Sequence, residues 1–396
     1  MNKIQQAQMV RSSAPAGSVS VVLDVSPLLL RSAGVKNYLH YWARSLTEQA
    51  GDNSLFLFPF MNSPVTFTHE NSVLGPLATI PRLALLFGAS RCPYPILNWF
   101  TPACDIFHAS HQAPNPARKA RLTSTIYDMT AWLMPELHIA GNLKASGRNA
   151  GRLFQKADGL IAISRCTRDD AVRLLGLSAE KIAVIYPGIA PAFFQARPEP
   201  SGETIRRYGL NKPYALYVGS IEPRKNVGTL LDAWQELARD IREEFDLVIA
   251  GPWGWGDRTV YQRLHSQMLG VRYLGYVPEP DLPALTASAT LFTYVSLYEG
   301  FGLPVGQAMA AGVPVLTSIV SALPEVVGDA GLAADPRSRE EIRRGLERLL
   351  LSPSLRSELA QRGRTRAQAY TWETCAQQSW EFFERVAGRS NLRQEG

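Results

Sequence analysis

The stretch EGFGLPVGQAMAAGVPVL places an acid, two early glycines and a proline where an apolar strand passes into a helix. Gly300 and Gly302 suit a tight turn, and Pro304 suits the first turn of a helix. The free amides at such a helix start attract phosphate. Glu299 can accept hydrogen bonds from hydroxyls there. Gln307, expected in the first turn, can reach the same ligand because helical side chains lean toward the N-terminus.

Two adjacent cations follow another strand, in the stretch YVGSIEPRKN. Gly219 ends that strand, and Asn226 is predicted to cap the next helix. Because the carboxyl ends of parallel strands share one edge of a sheet, we expect Arg224 and Lys225 to lie near Glu299. Fixed cations there suit a diphosphate, and they stabilise the charge that a nucleoside diphosphate leaving group gains.

The sequence contains no Asp-x-Asp pair that could hold a bridging Mg²⁺ or Mn²⁺. We therefore expect no metal and no cofactor at this site, with the protein cations taking the role of the metal. A weaker signal is RSAGVKNY, in which Gly34 begins a helix and would let a ligand approach the backbone closely. A single glycine in a strand–helix turn is usually structural.

The elements that position these residues form a regular pattern. From Tyr214 onward, short apolar runs alternate with helical stretches, which predicts a parallel sheet covered on both faces. The first half is less regular but similar, with a strand at 19–25. The stretch 194–212 is predicted to link two domains. An amphipathic C-terminal helix carries aromatics that need a surface to pack on: Trp372, Trp380, Phe382 and Phe383.

The 396 residues are 46% hydrophobic and 19% charged, which is ordinary for a globular protein of two or three domains. The net charge of +6 is compatible with several anionic partners, but no basic tract or nucleic-acid-binding signature occurs, so we expect no nucleic acid partner. Scattered cysteines, the absence of an apolar signal core in 1–17 and the absence of an 18-residue apolar run predict a cytoplasmic location.

The apolar segment 74–102 has two interpretations. It contains Arg82 and Arg91, and Trp99 and Phe100 lie near its end. It could rest on the cytoplasmic membrane face, with aromatics at headgroup depth and arginines on phosphates. The other interpretation, which we favour, is a helix and loop that merely pack on the first domain, because a buried helix looks much the same.

Taken together, the motifs resemble glycosyltransferase family 4, retaining enzymes of α/β class with the GT-B architecture. That architecture has two Rossmann-like, doubly wound parallel-sheet domains facing across a cleft that holds the active site. The resemblance implies an N-terminal acceptor domain at 18–200, a nucleotide-sugar domain at 201–370 and a helix at 371–388 that crosses back. It runs in the family's order from about residue 20 to 380 and rests on AGVKNY, TIYDMTAWLMPE, KADGLIAISRCTRDD, KIAVIYPGI, YVGSIEPRKNVGTLLDAW, VRYLGYVPEPDLPAL, SLYEGFGLPVGQAMAAGVPVLTS and SALPEVVGDAG.

The resemblance also implies roles for individual residues. Glu299 would contact the hydroxyls of the donor sugar, and Gln307 would contact the ribose. The remaining donor-binding positions are the loop glycines, the two cations and the amides at the helix start: Gly34, Gly219, Arg224, Lys225, Phe301, Gly302 and Leu303.

Two positions depart from the family pattern. The family's paired acids are Glu299 and Gln307 here, so one charged acceptor is lost. The usual His-Asp reads Tyr127-Asp128. Asp128 is retained, and a catalytic role and a loop-anchoring role remain equally open for it. Two nearby histidines, His108 and His111, are expected to be structural.

The implied reaction is transfer of a hexose from a GDP- or UDP-sugar to a hydroxyl of a glycan or lipid-linked acceptor, with retention at the anomeric carbon. Mannose is favoured, because the EPRKN and SLYEGFGLP stretches are most similar to bacterial mannosyltransferases of polysaccharide assembly. Two alternatives stay open: a sugar-nucleotide epimerase of the same fold, and a catalytically inactive sugar-nucleotide-binding scaffold.

Overall fold

The computed structural model describes residues 18–31, 34–62, 70–91, 99, 101–110, 120–138, 147, 150–198 and 202–389. The chain divides into two compact units. Unit 1 comprises residues 1–188 and 372–396, and unit 2 comprises residues 189–371. His111, part of the apolar segment 74–102 and part of the expected linker 194–212 lie outside the described residues.

Unit 1 contains a six-stranded sheet in the order β2-β1-β3-β4-β5-β6, and all of its strand pairs are parallel. Its strands are three to six residues long. They are β1 (Ser20–Asp24), β2 (Ser54–Phe58), β3 (Ile106–Ala109), β4 (Arg121–Ile126), β5 (Gly159–Ala162) and β6 (Ile182–Val184).

The described helices of unit 1 are α1 (Gly34–Glu48), α2 (Pro76–Arg91), α3 (Thr130–Leu133), α4 (Ala150–Lys156), α5 (Arg165–Leu175) and, from the end of the chain, α16 (Trp372–Val386). Helix α16 packs along α1. The Trp42 indole donates to Ser379 Oγ at 2.9 Å, and the Trp380 indole donates to the Leu46 carbonyl at 3.2 Å. The aromatic stripe expected to need a surface is therefore buried within unit 1.

Unit 2 contains a second six-stranded parallel sheet, in the order β12-β11-β10-β7-β8-β9. Its central strands are buried because helices follow them in sequence and cover them. The strands are β7 (Tyr214–Val218), β8 (Asp246–Ala250), β9 (Val271–Gly275), β10 (Leu291–Tyr294), β11 (Val315–Ser318) and β12 (Gly331–Ala334).

The helices of unit 2 alternate with these strands, so the predicted class of doubly wound α/β domains is confirmed. They are α6 (Pro191–Gln195), α7 (Glu203–Arg207), α8 (Val227–Gln235), α9 (Arg239–Glu244), α10 (Arg258–Leu264), α11 (Leu282–Ala287), α12 (Leu303–Ala310), α13 (Leu323–Val327), α14 (Arg339–Leu351) and α15 (Pro353–Ala367).

The boundary between the units differs from the expected linker. Unit 1 ends at Gly188, whereas the sequence placed the end of the first domain at residue 200. Residues 189–195 belong to unit 2 because Ile189 packs against the bare backbone of Gly306 in α12. Helix α7, inside the expected linker, is also held to unit 2, since Arg207 pairs with Asp281 at 3.1 Å.

Among the described residues, every helix is too short or too polar to cross a bilayer.

Candidate functional site

The candidate site lies where the strand order of unit 2 reverses. From β7 the chain proceeds outward through β8 and β9, and it then returns to the other side of β7 with β10, β11 and β12. Ligands of open α/β sheets bind at the carboxyl ends of the strands at such a switch point. The loop after β7 carries Arg224 and Lys225, and the loop after β10 carries Glu299. The topology therefore brings these three predicted residues together.

The three side chains form a buried ionic cluster. Lys225 Nζ lies 2.6 Å from Glu299 Oε1, and Arg224 Nη1 lies 3.0 Å from Glu299 Oε2. Only 9% of the Glu299 side chain and 11% of the Lys225 side chain is exposed. Each carboxylate oxygen of Glu299 thus has its own cation.

A second carboxylate and a tyrosine complete the cluster. Glu222, which is 8% exposed, accepts from Arg224 Nη2 at 2.7 Å. Lys225 Nζ also donates to the Tyr294 hydroxyl at 2.6 Å. Since Glu222, Arg224, Lys225 and Glu299 carry two charges of each sign, this group is neutral as a whole. A diphosphate that binds the two cations must therefore compete with Glu299 for them.

The electrostatics follow from this arrangement. Burial alone would raise the pKa of Glu299, but the charges of Arg224 and Lys225 lower it to about 2. Burial and the neighbouring Arg224 charge lower the pKa of Lys225, while Glu299 opposes that effect. Glu299 is consequently a carboxylate at neutral pH, and it can only accept hydrogen bonds.

The turn after Glu299 gives way to α12, as the glycines and Pro304 predicted. Gly302 precedes the first helical residue with a φ of 98°, and a Cβ at that position would lie 2.6 Å from Leu323 Cδ2. Only glycine fits this turn without strain. Helix α12 starts at Leu303, so Gln307 begins the second turn rather than lying in the first. Phe301 is buried beneath the turn.

The loop after β7 differs from the prediction at Asn226. This residue precedes α8, but it has a left-handed backbone (φ 61°) and its side chain makes no capping hydrogen bond. Instead its side-chain Nδ2 donates to the carbonyls of Val295 and Pro336, at 3.0 and 2.7 Å. Asn226 therefore fastens the loop that carries Arg224 and Lys225 to the end of β10.

A glycine contact brings two loops together at the same edge of the sheet. The Gly219 amide donates to the Ala250 carbonyl at 2.9 Å. A Cβ on Gly251 would fall 1.9 Å from the Gly219 carbonyl oxygen, and the φ of Gly251 is 147°. The two backbones can therefore approach this closely only because Gly251 carries no side chain at the crossing.

Two predicted residues lie in unit 1. Gly34 is the first residue of α1, and an added Cβ would meet no atom within 4 Å among the described residues. Packing around this position therefore leaves the glycine unexplained. Asp128 Oδ1 accepts from the Thr130 amide at 3.1 Å and from its hydroxyl at 2.6 Å. These contacts correspond to the loop-anchoring role, and a catalytic role of Asp128 stays a prediction.

His108 and Tyr127 are also in unit 1. His108 Nδ1 lies 3.0 Å from the Thr123 hydroxyl, and His108 Nε2 lies 3.0 Å from the Thr125 hydroxyl. Burial lowers the pKa of His108 to about 3, so this neutral, fully engaged ring is structural, as the sequence indicated. Burial and the nearby Asp24 charge raise the pKa of Tyr127, which therefore remains a phenol at neutral pH.

Three residues of the site were not predicted from the sequence. Glu222 precedes Arg224 by two positions in a loop that was already singled out, and an acid beside two cations was a usable signal. Tyr294 is the last residue of β10, where its ring stacks on Tyr217 with centroids 5.6 Å apart. Ser321 accepts a hydrogen bond from the Glu299 amide at 3.0 Å, and nothing in the sequence indicated this contact.

Comparison with protein families matches both halves of the chain. Residues 32–193 match the description "Glycosyltransferase Family 4". Residues 203–366 match the description "Glycosyl transferases group 1" and contain all residues of the ionic cluster.

Individual proteins agree with these matches. O-antigen chain mannosyltransferase B of Escherichia coli is 35% identical over 309 residues, which cover 76% of this chain and 81% of that protein. Serotype-specific mannosyltransferase WbdA of E. coli is 26% identical over 85% of this chain, which spans only 42% of WbdA. Among solved structures, Anabaena HepE in complex with UDP-glucose superposes with a TM-score of 0.67 at 19% identity, covering 91% of this chain and 98% of that one.

Proposed function

Since this chain belongs to glycosyltransferase family 4 and has the GT-B fold, we propose that it transfers mannose from GDP-mannose to a hydroxyl of a growing glycan or lipid-linked glycan, with retention at the anomeric carbon. One observation carries the proposal that the donor is a nucleoside diphosphate sugar: the Arg224–Glu299–Lys225 cluster at the switch point of unit 2. The preference for mannose rests on the similarity to O-antigen chain mannosyltransferase B. UDP-glucose is the competing donor, since HepE was solved with it.

The cluster supplies the groups that such a reaction requires. Arg224 and Lys225 bind the diphosphate, and their charges stabilise it as the sugar–phosphate bond breaks. The amides at the start of α12, near Gly302 and Leu303, add hydrogen-bond donors at a helix N-terminus. Glu299, freed from one or both cations, accepts hydrogen bonds from sugar hydroxyls. Gln307 reaches the ribose with neutral hydrogen bonds.

We place bond formation on the face from which the diphosphate leaves. The anomeric carbon–oxygen bond to the diphosphate breaks, and the acceptor oxygen forms its bond to the same carbon on the same side. The acceptor proton moves to the departing phosphate oxygen. In this scheme the protein needs no nucleophile, and its contribution is positioning and charge stabilisation. Asp128 and the loop of Gly34 remain predicted contributors from unit 1.

The reaction is proposed to need no metal ion, because two protein cations already meet where the diphosphate would bind. The test incubates purified protein with GDP-mannose, UDP-glucose and other nucleotide sugars in EDTA, with and without a mannose-containing acceptor. A transferase consumes one donor in the presence of acceptor and releases nucleoside diphosphate. Interconversion of the donor alone would indicate an epimerase, and binding without turnover would indicate a scaffold. NMR of the product's anomeric proton decides retention.

We also infer a peripheral membrane contact through the apolar segment 74–102. Helix α2 has an exposed apolar stripe at helical spacing: Leu77 is 92% exposed, Ile80 63% and Phe87 61%. The helix sequence contains two arginines and no acid, which favours an anionic surface. Arg82 itself is engaged, since its guanidinium donates to the carbonyls of Pro59, Phe60 and Ala78. The exposed apolar stripe therefore supports the membrane contact. Arg82 does not, because its guanidinium binds backbone carbonyls and not a lipid phosphate.

Sedimentation with vesicles of phosphatidylcholine and phosphatidylglycerol tests this contact. The double variant Leu77→Glu/Ile80→Glu should lower the affinity for the vesicles by at least about tenfold, because each apolar side chain contributes roughly 1.5–3 kcal/mol when buried. The matched control Leu269→Glu/Leu351→Glu changes two exposed leucines of unit 2 and should bind as wild type does. Equal binding by all three proteins would refute the contact.

A further inference from the structure

Ser321 has a backbone conformation that L-residues with side chains rarely adopt. Its φ is 58°, and among the described residues only Phe60 and Asn226 share a positive φ without being glycine. It lies in the loop between β11 and α13. A left-handed conformation costs free energy for a residue with a Cβ, so a neighbouring interaction must maintain it.

The neighbouring interaction is with the backbone of Glu299. The Glu299 amide donates to Ser321 Oγ at 3.0 Å, and the next amide of the loop, that of Ala322, donates to the Glu299 carbonyl at 3.4 Å. Both backbone polar groups of Glu299 are thus bonded to two consecutive residues. This holds the residue whose carboxylate meets Arg224 and Lys225.

Ser321 extends a series of hydroxyl contacts between the ends of β10 and β11. Thr317 Oγ1 donates to the Tyr294 carbonyl at 2.9 Å, and Ser318 Oγ donates to the Ser296 carbonyl at 2.7 Å. Thr317 and Ser318 lie within the extended strand β11 and reach their partners from it. Ser321 lies beyond the strand, and its hydroxyl reaches the Glu299 amide from the left-handed conformation.

A helix-capping role does not account for Ser321. Helix α13 begins at Leu323, the residue that precedes it is Ala322, and no side chain caps this helix start. The hydroxyl of Ser321 accepts from the amide of Glu299, 22 residues earlier in the sequence, rather than from the first turn of α13. The unusual backbone is therefore coupled to the site and not to the helix that follows.

We propose that Ser321 is a positioning residue, whose hydroxyl fixes the main chain of Glu299 so that its carboxylate can bind the donor sugar. This inference rests on the proposed function, in which Glu299 contacts sugar hydroxyls and Arg224 and Lys225 bind the diphosphate. Loss of the hydroxyl therefore weakens recognition of the sugar, whereas recognition of the diphosphate by Arg224 and Lys225 is not weakened.

Two variants separate the hydroxyl from the backbone strain. Ser321→Gly removes the hydroxyl and relieves the strain, whereas Ser321→Ala removes the hydroxyl and keeps the strain. Ser321→Gly should therefore be more resistant to urea than Ser321→Ala. Despite this difference in stability, both variants should show the same functional defect.

The functional measurement is calorimetric titration with GDP and with GDP-mannose, together with the steady-state kinetics of transfer. GDP should bind both variants no more than about twofold more weakly than it binds wild type. In both variants, the gain in affinity from the added mannose and kcat/KM for the donor should fall by about tenfold, the size of one lost hydrogen bond to a reacting-site group.

Two results would overturn the proposal and identify where the reasoning failed. If wild type binds GDP and GDP-mannose, but Ser321→Gly keeps the full gain from mannose and full kcat/KM, Ser321 does not position Glu299, and the proposed function stands. If wild type binds neither GDP nor GDP-mannose, the proposed transfer from GDP-mannose fails, and the role of Ser321 that rests on it fails as well.

Discussion

Replacing Glu299 by glutamine removes the charge that two cations share while keeping the shape of the side chain. Arg224 Nη1 and Lys225 Nζ now contact separate oxygens of Glu299, at 3.0 and 2.6 Å. In the variant, Lys225 loses the carboxylate that lies 2.6 Å from its Nζ, and Arg224 keeps its contact with Glu222. We expect Glu299→Gln to abolish transfer and to destabilise unit 2.

The loss of stability can be estimated from the burial of the pair. Breaking a buried ion pair by removing one partner's charge costs about 3–5 kcal/mol, and we take about 3 kcal/mol because glutamine keeps one acceptor oxygen. Unit 2 spans residues 189–371. For a unit of this size each kcal/mol shifts the melting midpoint by about 2–4 °C, so the midpoint should fall by roughly 6–12 °C.

Thermal unfolding with and without GDP is the assay. GDP should raise the midpoint of Glu299→Gln more than that of wild type, because its diphosphate replaces the missing negative charge beside Arg224 and Lys225. Glu244→Gln, an exposed glutamate of the same unit, serves as the control and should stay within about 0.5 kcal/mol of wild type. The reasoning is refuted if the Glu299→Gln midpoint stays within about 2 °C of wild type, or if GDP stabilises both proteins equally.

Three further predictions concern the same cluster and the turn that follows Glu299. Lys225→Gln should weaken GDP binding by about 10- to 100-fold, the value of a charged hydrogen bond, whereas Tyr294→Phe should lose less; calorimetry compares the two. Gly302→Ala should destabilise unit 2 by about 1–3 kcal/mol in urea unfolding and weaken donor binding, because its φ is 98° and a Cβ would meet Leu323. The pKa of Glu299 is lowered from 4.5 to about 2, so its stabilising contribution is complete above pH 4.5 and is lost as the pH falls toward 2. The difference in unfolding free energy between wild type and Glu299→Gln should therefore shrink over that interval. A difference independent of pH would contradict the ion pairing.

Much of the fold could be predicted because short apolar runs and helical stretches alternate along the sequence. Strand β1, for example, lies inside the run predicted at 19–25. The boundary between the units could not be predicted in the same way. Residues 194–212 look like a linker by composition, but Arg207 within this stretch pairs with Asp281, and Ile189 just before it packs against Gly306. Only the folded chain reveals these contacts with unit 2.

The meeting of Arg224, Lys225 and Glu299 could be predicted because all three follow parallel strands and so share one edge of the sheet. That β7 and β10 are direct neighbours could not be deduced from these motifs alone, and this neighbourhood creates the ion pairs. The left-handed backbone of Ser321 and the carbonyl contacts of Asn226 depend on tertiary contacts. Gln307 was expected in the first turn of α12, but it begins the second turn because the helix starts directly after Gly302.

The central claim is that the diphosphate of a nucleotide sugar binds between Arg224 and Lys225 without a metal ion. Calorimetric titration of GDP in EDTA tests it most directly, with wild type, Arg224→Ala/Lys225→Ala and the exposed control Arg239→Ala/Arg344→Ala. The account predicts that wild type and the control bind alike and that the cluster variant, still folded by circular dichroism, loses at least about 100-fold in affinity. Binding by the cluster variant as tight as by wild type would contradict the account.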